Sequence, residues 1–430
     1  MPERPVNALV LKYIRGDEAM LKIVHPICCG IDVHKTFVVA CIASTNAKGV
    51  TTYQSKRFST YTKDLRELAE WLAANNCKDV CMESTGKYWH PVWNVLELTC
   101  KPVLAHPKYL KAIRGKKTDK RDAKWIADVF KHDLVSGSFI PPAKIRELRD
   151  LTRYRVKLTN YTTGEKNRAQ NCLTTSNIQL DHAFTDVFGK SATRVLDYML
   201  EHPDEKNFDV APFVDRRCKT PIEEIQLAID GTISPEQTEK LRIIRSHMDA
   251  LLLCKSNLES EILTLADEFW PQINLVASVP GIRDYSAISV IAEIGTDMSV
   301  FPSAKHLCSW AGLAPQCNES GGKKKTSRVS HAGAYIKPLL IQCSNAVVTS
   351  YKHPEIRNRY LSIKKRRGHK KAIVAIARML LTAIFHILSK NEPYNPELYR
   401  NSDVSPFDYE QQAILLLEKR GFAVSKVAVE

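Results

Sequence analysis

Two carboxylates stand at the ends of apolar runs where an acid is costly. Asp32 closes Cys28-Cys29-Gly30-Ile31-Asp32, just ahead of Val33-His34-Lys35, and Glu83 closes Val80-Cys81-Met82-Glu83, just ahead of Ser84-Thr85-Gly86. Both runs read as buried strands, in which a carboxylate needs a charged partner or a bound cation to stay ionised. Two further acids, Asp119 and Asp122, lie three apart in Lys117-Thr118-Asp119-Lys120-Arg121-Asp122-Ala123, at the start of a helical pattern. That spacing puts both on one helical face and in a first turn, where acids suit the helix dipole. Alone, the pair reads as an N-cap followed by a solvated charge. With two strand-end acids beside it, it suggests a set of hard oxygen ligands for Mg²⁺ or Mn²⁺, of the kind that clamps both sides of a phosphodiester.

The surrounding rhythm constrains the fold. Strand signals run from Ile27 to Asp32, Phe37 to Ser44 and Thr51 to Phe58, followed by a helix from Thr62 to Ala74 with Leu65, Leu68 and Leu72 on one side. A strand at Val80 to Glu83, a helix near Trp89 to Leu98, a strand at Pro102 to Ala105 and the helix after Asp119 complete the series. The order βββαβαβα is that of an RNase H-like fold, whose first strand pairs with the fourth and so brings Asp32 beside Glu83. This α/β unit is expected over residues 25–140, after an N-terminal arm at 1–24 and before Pro141-Pro142.

Beyond it the pattern turns helical. Ile145, Leu148, Leu151, Leu158 and Tyr161 alternate with Arg146, Arg149, Arg153, Arg155 and Lys157, a basic helix that either lines nucleic acid or presents a solvated face. Residues 176–233 are mixed and polar and yield no element. Ser234-Pro235-Glu236-Gln237 has the residues of a helix start, with a Ser cap and Pro in the first turn. The run Leu241, Ile244, Met248, Leu251, Leu258, Ile262, Leu265 then forms a heptad seam, a coiled coil whose partner is either a second chain or the earlier helix. Val276 to Ile282, with the helix Ala287 to Ile294, looks like a partial helix-hairpin-helix that offers backbone N–H groups to a phosphate. Arg357 to Lys371 holds eight Lys or Arg and no acid, leading into a helix from Ala372 to Leu388. The expected division is a helical coiled-coil linker at 141–275, a mainly helical domain at 276–392 and a tail at 393–430 with a short helix between Ser405 and Gly421.

A net charge of +15 favours a polyanionic partner, DNA or RNA. Twelve scattered cysteines with no Cys-x-x-Cys argue against a zinc site or a disulfide framework. No apolar run reads as a transmembrane span and the first twenty residues are charged throughout, so no membrane partner and a cytoplasmic, nucleoid-associated location are expected.

Taken jointly, these motifs resemble the DEDD-type insertion-sequence transposases, also called the Piv/MooV-like recombinases. Gly30-Ile31-Asp32-Val33-His34-Lys35, Glu83-Ser84-Thr85-Gly86 and Thr118-Asp119-x-x-Asp122-Ala123 look like the RuvC-like N-terminal motifs of that family. Pro280-Gly281-Ile282, Ala311-Gly312-Leu313-Ala314-Pro315 and Glu319-Ser320-Gly321-Gly322 look like its C-terminal domain. The resemblance implies a DNA recombinase in which Asp32, Glu83, Asp119 and Asp122 are catalytic and hold Mg²⁺ or Mn²⁺. It also implies a serine nucleophile, by position Ser320, and a non-coding bridge RNA that pairs with donor and target DNA. Assembly as a homodimer or homotetramer is expected. Nucleic-acid contacts are expected from Arg114, Lys116, Lys117, Arg149, Arg153, Lys323, Lys324, Lys325, Lys364, Lys365, Arg366 and Arg367. Two alternatives remain: a metal-dependent structure-specific nuclease that uses water, and a nucleic-acid-binding regulator with a decayed site. All four acids are present, which counts against the second, and the serine loop favours the recombinase over the first.

Overall fold

The computed structural model describes residues 21–83, 86–107, 110, 118–202, 205, 208–315, 318–320, 323–326, 328–399, 414 and 417. The chain divides into two compact units that meet in sequence at Ile140 and Pro141.

The first unit is built on β1 (Ile27–Val33), β2 (Phe37–Thr45), β3 (Thr51–Ser59), α1 (Thr62–Ala74), β4 (Asp79–Glu83), α2 (Trp89–Leu96), β5 (Lys101–Ala105) and α3 (Asp119–Lys131). The sheet order is β3-β2-β1-β4-β5. β1 pairs antiparallel with β2 and parallel with β4, in the register Gly30↔Cys81 and Ile31↔Met82. This mixed sheet is the RNase H-like arrangement expected from the sequence. Strand alternation sorts the side chains. Cys29, Ile31 and Val33 face one way with Val80 and Met82, onto Leu65, Leu68 and Leu72 of α1 and Val92 and Leu96 of α2. Cys28 and Cys81 face the other way, onto Ile126, Ala127 and Phe130 of α3. Burying each of these Leu, Ile or Val side chains contributes about 1.5–3 kcal/mol, so both helical layers are held firmly to the sheet. Residues 21–24, part of the expected arm, run beside the end of α3, where the Val24 and His25 N–H groups donate to the Lys131 carbonyl at 2.8 and 3.1 Å.

The second unit is organised by two long helices, α4 (Ala143–Thr175, 33 residues) and, after an insertion, α8 (Pro235–Ala266, 32 residues), which pack along each other. α4 runs fourteen residues beyond Tyr161, the last position of its apolar pattern. Within it Thr162, Thr163, Thr174 and Thr175 turn their hydroxyls back onto the helix, donating to carbonyls four residues earlier. The heptad seam of α8 finds its partner inside the chain: Leu241, Ile244, Leu251 and Ile262 are buried. Ser234 makes no side-chain cap to α8, because its hydroxyl donates to the Glu236 carboxylate instead.

The insertion, which had no legible element, contains α5 (Leu180–Ala183), α6 (Lys190–Glu201) and α7 (Ile222–Ala228). Ile178, Leu180, Val195, Leu196, Val210 and Ile225 form its core together with Leu173 of α4 and Leu241 and Ile244 of α8.

The remaining elements are α9 (Trp270–Ala277), α10 (Asp284–Ile294), α11 (Ala304–Trp310), β6 (Asn318–Ser320), β7 (Lys323–Thr326), α12 (Ile336–Thr349), α13 (Pro354–Arg367) and α14 (His369–Lys390). They belong to the same compact unit as the long helices. The helix read as Ala372 to Leu388 begins three residues earlier and ends two later. At 22 residues, α14 is long and apolar enough to cross a membrane, which corrects the expectation that no span has that length. It is the core helix here, with Ile373, Ile376, Leu380, Leu381 and Ile384 buried among α9, α11, α12 and α13. The helix expected at 405–421 lies, apart from the helical residues Ile414 and Leu417, outside the described residues.

Eleven cysteines among the described residues are free thiols, and burial pushes those of Cys28, Cys77 and Cys81 up to about 12. Eight of the eleven are buried packing residues, and Cys254 is exposed.

Candidate metal centre and serine loop

Asp32 belongs to the face of β1 that meets α3, two residues beyond Gly30. A Cβ at Gly30 would lie 2.3 Å from both the Ala123 carbonyl oxygen and the Ala127 nitrogen. The missing side chain therefore lets α3 lie directly on the strand, and the first turn of α3 comes over the end of β1. Thr118 caps that turn by accepting from the Arg121 N–H. Asp119 and Asp122 are then delivered to Asp32 by a helix whose seat is a glycine.

The electrostatics bear this out. Burial raises the Asp32 carboxyl above its ordinary value; His34 opposes the rise, and Asp122 and then Asp119 add to it by like-charge repulsion. Asp32 is only 8% exposed. Glu83 follows Met82, the partner of Ile31, so it stands level with Asp32 on the adjacent strand. Because Cys81 faces α3, alternation turns Glu83 to that face too. The fold thus brings Asp32, Asp119 and Asp122 together and places half-buried Glu83 at the neighbouring strand end.

A fifth residue joins them. His34 Nε2 lies 3.1 Å from Asp32 Oδ2 and 3.6 Å from Asp119 Oδ1. One donor atom from each of Asp32, His34 and Asp119 falls within a 4.8 Å cluster. The sequence carried a signal for this, since His34 is two residues beyond Asp32 and shares its parity along the strand. Carboxylates around a part-buried, desolvated position suit a divalent cation, which would offset the charge that the apolar strand ends disfavour.

The expected nucleophile sits in the second unit. Ser320 ends β6, opposite Lys323 of β7, with Gly321 and Gly322 between them in sequence. Those two glycines and the side chains of 316–327, including Lys323, Lys324 and Lys325, lie outside the described residues. The base of the ladder is anchored by a bridge between Pro315 and Val329. Below it, Gly312 (φ +68°) and Gly333 (φ +70°) interlock: a Cβ at Gly312 would fall 2.4 Å from the Ala332 oxygen, and one at Gly333 2.2 Å from the Ala311 oxygen. Ser330 accepts from the Ala332 N–H at 3.3 Å within this turn.

The basic residues fall into three groups. Arg114, Lys116 and Lys117 lie outside the described residues. Arg149 and Arg153, expected to contact nucleic acid, tie α4 to α10. Arg149 donates to the carbonyls of Ala292 and Glu293 at 2.9 and 2.7 Å, and burial lowers its pKa to about 10. Arg153 forks onto the buried Glu293 carboxylate at 2.6 and 2.8 Å, with its guanidinium over Tyr335. Lys364, Lys365, Arg366 and Arg367 are exposed at the end of α13, and Lys370 and Lys371 follow across Gly368. The glycine of the supposed hairpin, Gly281 (φ +83°), is explained by packing, since a Cβ there would lie 2.6 Å from the Cys343 oxygen of α12.

The RNase H-like unit thus carries Asp32, Glu83, Asp119 and Asp122, and the mainly helical unit that follows it carries Ser320. A family model for DEDD-type IS110 transposases matches residues 29–178, and one for the transposase IS116/IS110/IS902 family matches residues 273–361, together more than half of the chain. The chain belongs to the IS110 family of transposases. It is 28% identical over 142 residues to the pilin gene-inverting protein of Moraxella bovis, covering 32% of this chain and 44% of that one. It is 30% identical over 122 residues to the transposase for insertion sequence element IS1111A of Coxiella burnetii, covering 28% of this chain and 33% of that one. The chain thus spans less than half the length of these curated relatives. The Thermus thermophilus RuvC structure matches 26% of this chain and 99% of its own, at 11% identity and a TM-score of 0.23. The fold assignment rests on the strand order and register.

Proposed function

We propose that this chain is the transposase of an insertion sequence, cutting and rejoining DNA through Ser320 with the help of the acid cluster, under the guidance of a non-coding bridge RNA. The observation that carries the reading is the convergence of Asp32, Asp119 and Asp122 on one face of β1, with Glu83 beside them, in a chain that bears both family domains.

Ser320 Oγ attacks the phosphorus of a DNA phosphodiester, forming a phosphoserine ester while the bond to one deoxyribose oxygen breaks and that oxygen takes up a proton. A hydroxyl from a second DNA end then attacks the same phosphorus, and Ser320 leaves with a proton restored. One phosphoester is exchanged for another at each step, so no external energy source is required. A serine hydroxyl is a weak nucleophile at neutral pH. A divalent ion held by Asp32, Glu83, Asp119 and Asp122 would lower the pKa of a nearby hydroxyl and offset charge on the phosphate. The carboxylates hold and orient, and Lys323 to Lys325, adjacent to Ser320 in sequence, offset phosphate charge. The reaction requires Ser320 and the acids to meet at one phosphate, within one chain or between two chains of a homodimer or homotetramer. The charge of +15 supports DNA and RNA as joint partners.

The test is incubation of the protein and its bridge RNA with element-end DNA and Mg²⁺ or Mn²⁺, followed by denaturing electrophoresis for protein covalently joined to DNA. The wild type gives an adduct and recombinant product. Ser320→Ala binds DNA normally and gives neither. An adduct that survives in Ser320→Ala and disappears in Ser330→Ala reassigns the nucleophile. DNA cut without any adduct replaces the transposase mechanism with hydrolysis by water. Recombination undiminished after RNase treatment removes the guide RNA.

A further inference from the structure

The acid cluster contains a nitrogen donor that the DEDD description leaves out. β1 ends at Val33, and the chain turns back into β2 through the His34 N–H, which donates to the Phe37 carbonyl at 2.9 Å. The same turn sets the imidazole against the Phe37 ring, with centroids 4.5 Å apart and planes tilted by 37°, and that ring also carries the Arg57 guanidinium at 3.7 Å. The ring is therefore aimed before any ion arrives. Its Nε2 faces two carboxylates from two different elements, Asp32 of β1 and Asp119 of α3. A single ion pair is satisfied by one carboxylate, so a nitrogen set between two is the pattern of a shared centre. Two donors about 2.1 Å from one ion and at right angles around it are about 3 Å apart. The 3.1 Å separation matches that spacing, and the 3.6 Å one corresponds to a wider angle between donors on the same ion.

We propose that His34 is a nitrogen ligand of the metal centre and that it biases the centre from Mg²⁺ toward a first-row transition ion. The inference rests on the metal-dependent reading above and adds to it the class of ion. Mg²⁺ takes oxygen ligands in a near-ideal octahedron and keeps several waters. Imidazole is a softer ligand that favours transition ions over Mg²⁺. Replacing one oxygen of the set by Nε2 therefore penalises Mg²⁺ more than Mn²⁺.

Mn²⁺ alone is the probe, because pulsed electron paramagnetic resonance reads directly coordinated nitrogen. The full-length wild type, grown with ¹⁵N-histidine and loaded with Mn²⁺, shows the coupling of one coordinated imidazole nitrogen, and this needs no variant that might fail to fold. In His34→Ala the coupling disappears. Competition titration then gives a Mn²⁺ affinity lower by about 10-fold or more, with Mg²⁺ affinity nearly unchanged. His34→Asp, which restores an oxygen donor, shifts the preference toward Mg²⁺. Bound Mn²⁺ without nitrogen coupling in the wild type overturns the inference and leaves the acid cluster standing, with His34 a hydrogen-bond partner of Asp32. An equal Mn²⁺/Mg²⁺ affinity ratio in wild type and His34→Ala overturns it in the same way. Wild-type protein that binds no divalent ion, or Asp32→Asn protein that binds Mn²⁺ as tightly as wild type, overturns the metal-dependent function itself.

Discussion

The acid face and the serine ladder are both positioned by glycines, for different physical reasons. Gly30 lies inside an extended strand, and its missing Cβ only makes room for the backbone of α3. Gly312 and Gly333 supply that room and also a left-handed backbone, with φ of +68° and +70°. The scaffolds differ as well. Asp32 rides on the middle strand of a five-stranded sheet with packed layers on both faces, whereas Ser320 ends a three-residue strand paired with one of four. A two-stranded ladder is marginal by itself, so this one depends on the interlock beneath it. The carboxylates are thus put on the rigid scaffold, and Ser320 on a small ladder held at its base.

The largest expected effect breaks the comparison at its rigid end. Asp32→Asn lowers strand cleavage by about a thousandfold, a loss of roughly 4 kcal/mol of transition-state stabilisation. The fold survives, because the amide fills the same space. Its stability also responds to pH. Burial raises the Asp32 carboxyl in the folded, ion-free protein, so its contribution is fully present below the ordinary value of 3.8 and is lost as pH rises through the raised one. Chemical denaturation in EDTA at neutral pH therefore finds Asp32→Asn more stable than wild type, with the gain vanishing in acid. Normal cleavage by this variant, or equal stability at both pH values, would remove Asp32 from the centre.

The second test sets the two kinds of glycine against each other. Gly30→Ala must push α3 off β1, an overpacking cost of about 1–3 kcal/mol, and it moves Asp119 and Asp122 with the helix. Metal affinity and melting temperature should fall together. Gly333→Ala adds backbone strain of about 1–2 kcal/mol to a similar clash, yet it should leave metal affinity unchanged while adduct formation falls. If both variants lose metal binding equally, the two regions do not have separate supports.

How far the sequence revealed these regions depends on where the determining contacts lie. The first unit was legible because its apolar runs are long, alternate cleanly and end in acids, so Asp32 beside Glu83 followed from strand order alone. His34 shared the parity of Asp32 but was overshadowed by the carboxylates. The insertion at 176–233 was illegible because α5 and α7 are only 4 and 7 residues long, and their apolar residues form a face only when they gather on α4 and α8. The second half of α4 hides its helix in threonines. Arg149 and Arg153 resembled a phosphate-binding stripe because their partner, Glu293, lies about 140 residues away. The α8 seam announced that it would be buried, but not whether the covering surface came from its own chain.

Arg153 supplies the third test, a stability effect smaller than the clash at Gly30. Arg153→Gln leaves Glu293, 6% exposed at its side chain, without its fork. Breaking a fully buried pair costs about 3–5 kcal/mol. Arg153 is 37% exposed, so solvent screening reduces the expected loss to about 1–2 kcal/mol, seen as a lower urea midpoint for the second unit. DNA affinity of the folded protein should not change.

The smallest effect per residue separates the two basic stretches. Each phosphate contact adds about 0.9 to the slope of log affinity against log salt on duplex DNA, because one condensed counterion is released. Lys364, Lys365, Arg366 and Arg367 project into solvent at the end of α13, and Lys370 and Lys371 extend the patch. Replacing the first four with Gln should flatten the slope by up to about 3.6 if every one meets a phosphate. Arg153→Gln should leave the slope as it is, since that guanidinium is already committed to Glu293. The slope isolates contact from stability: a variant that merely unfolds a fraction of the protein shifts affinity equally at every salt concentration. An unchanged slope in the fourfold variant would make the α13 corner a solvated face, and a slope altered by Arg153→Gln would mean that the α4–α10 joint opens when DNA binds.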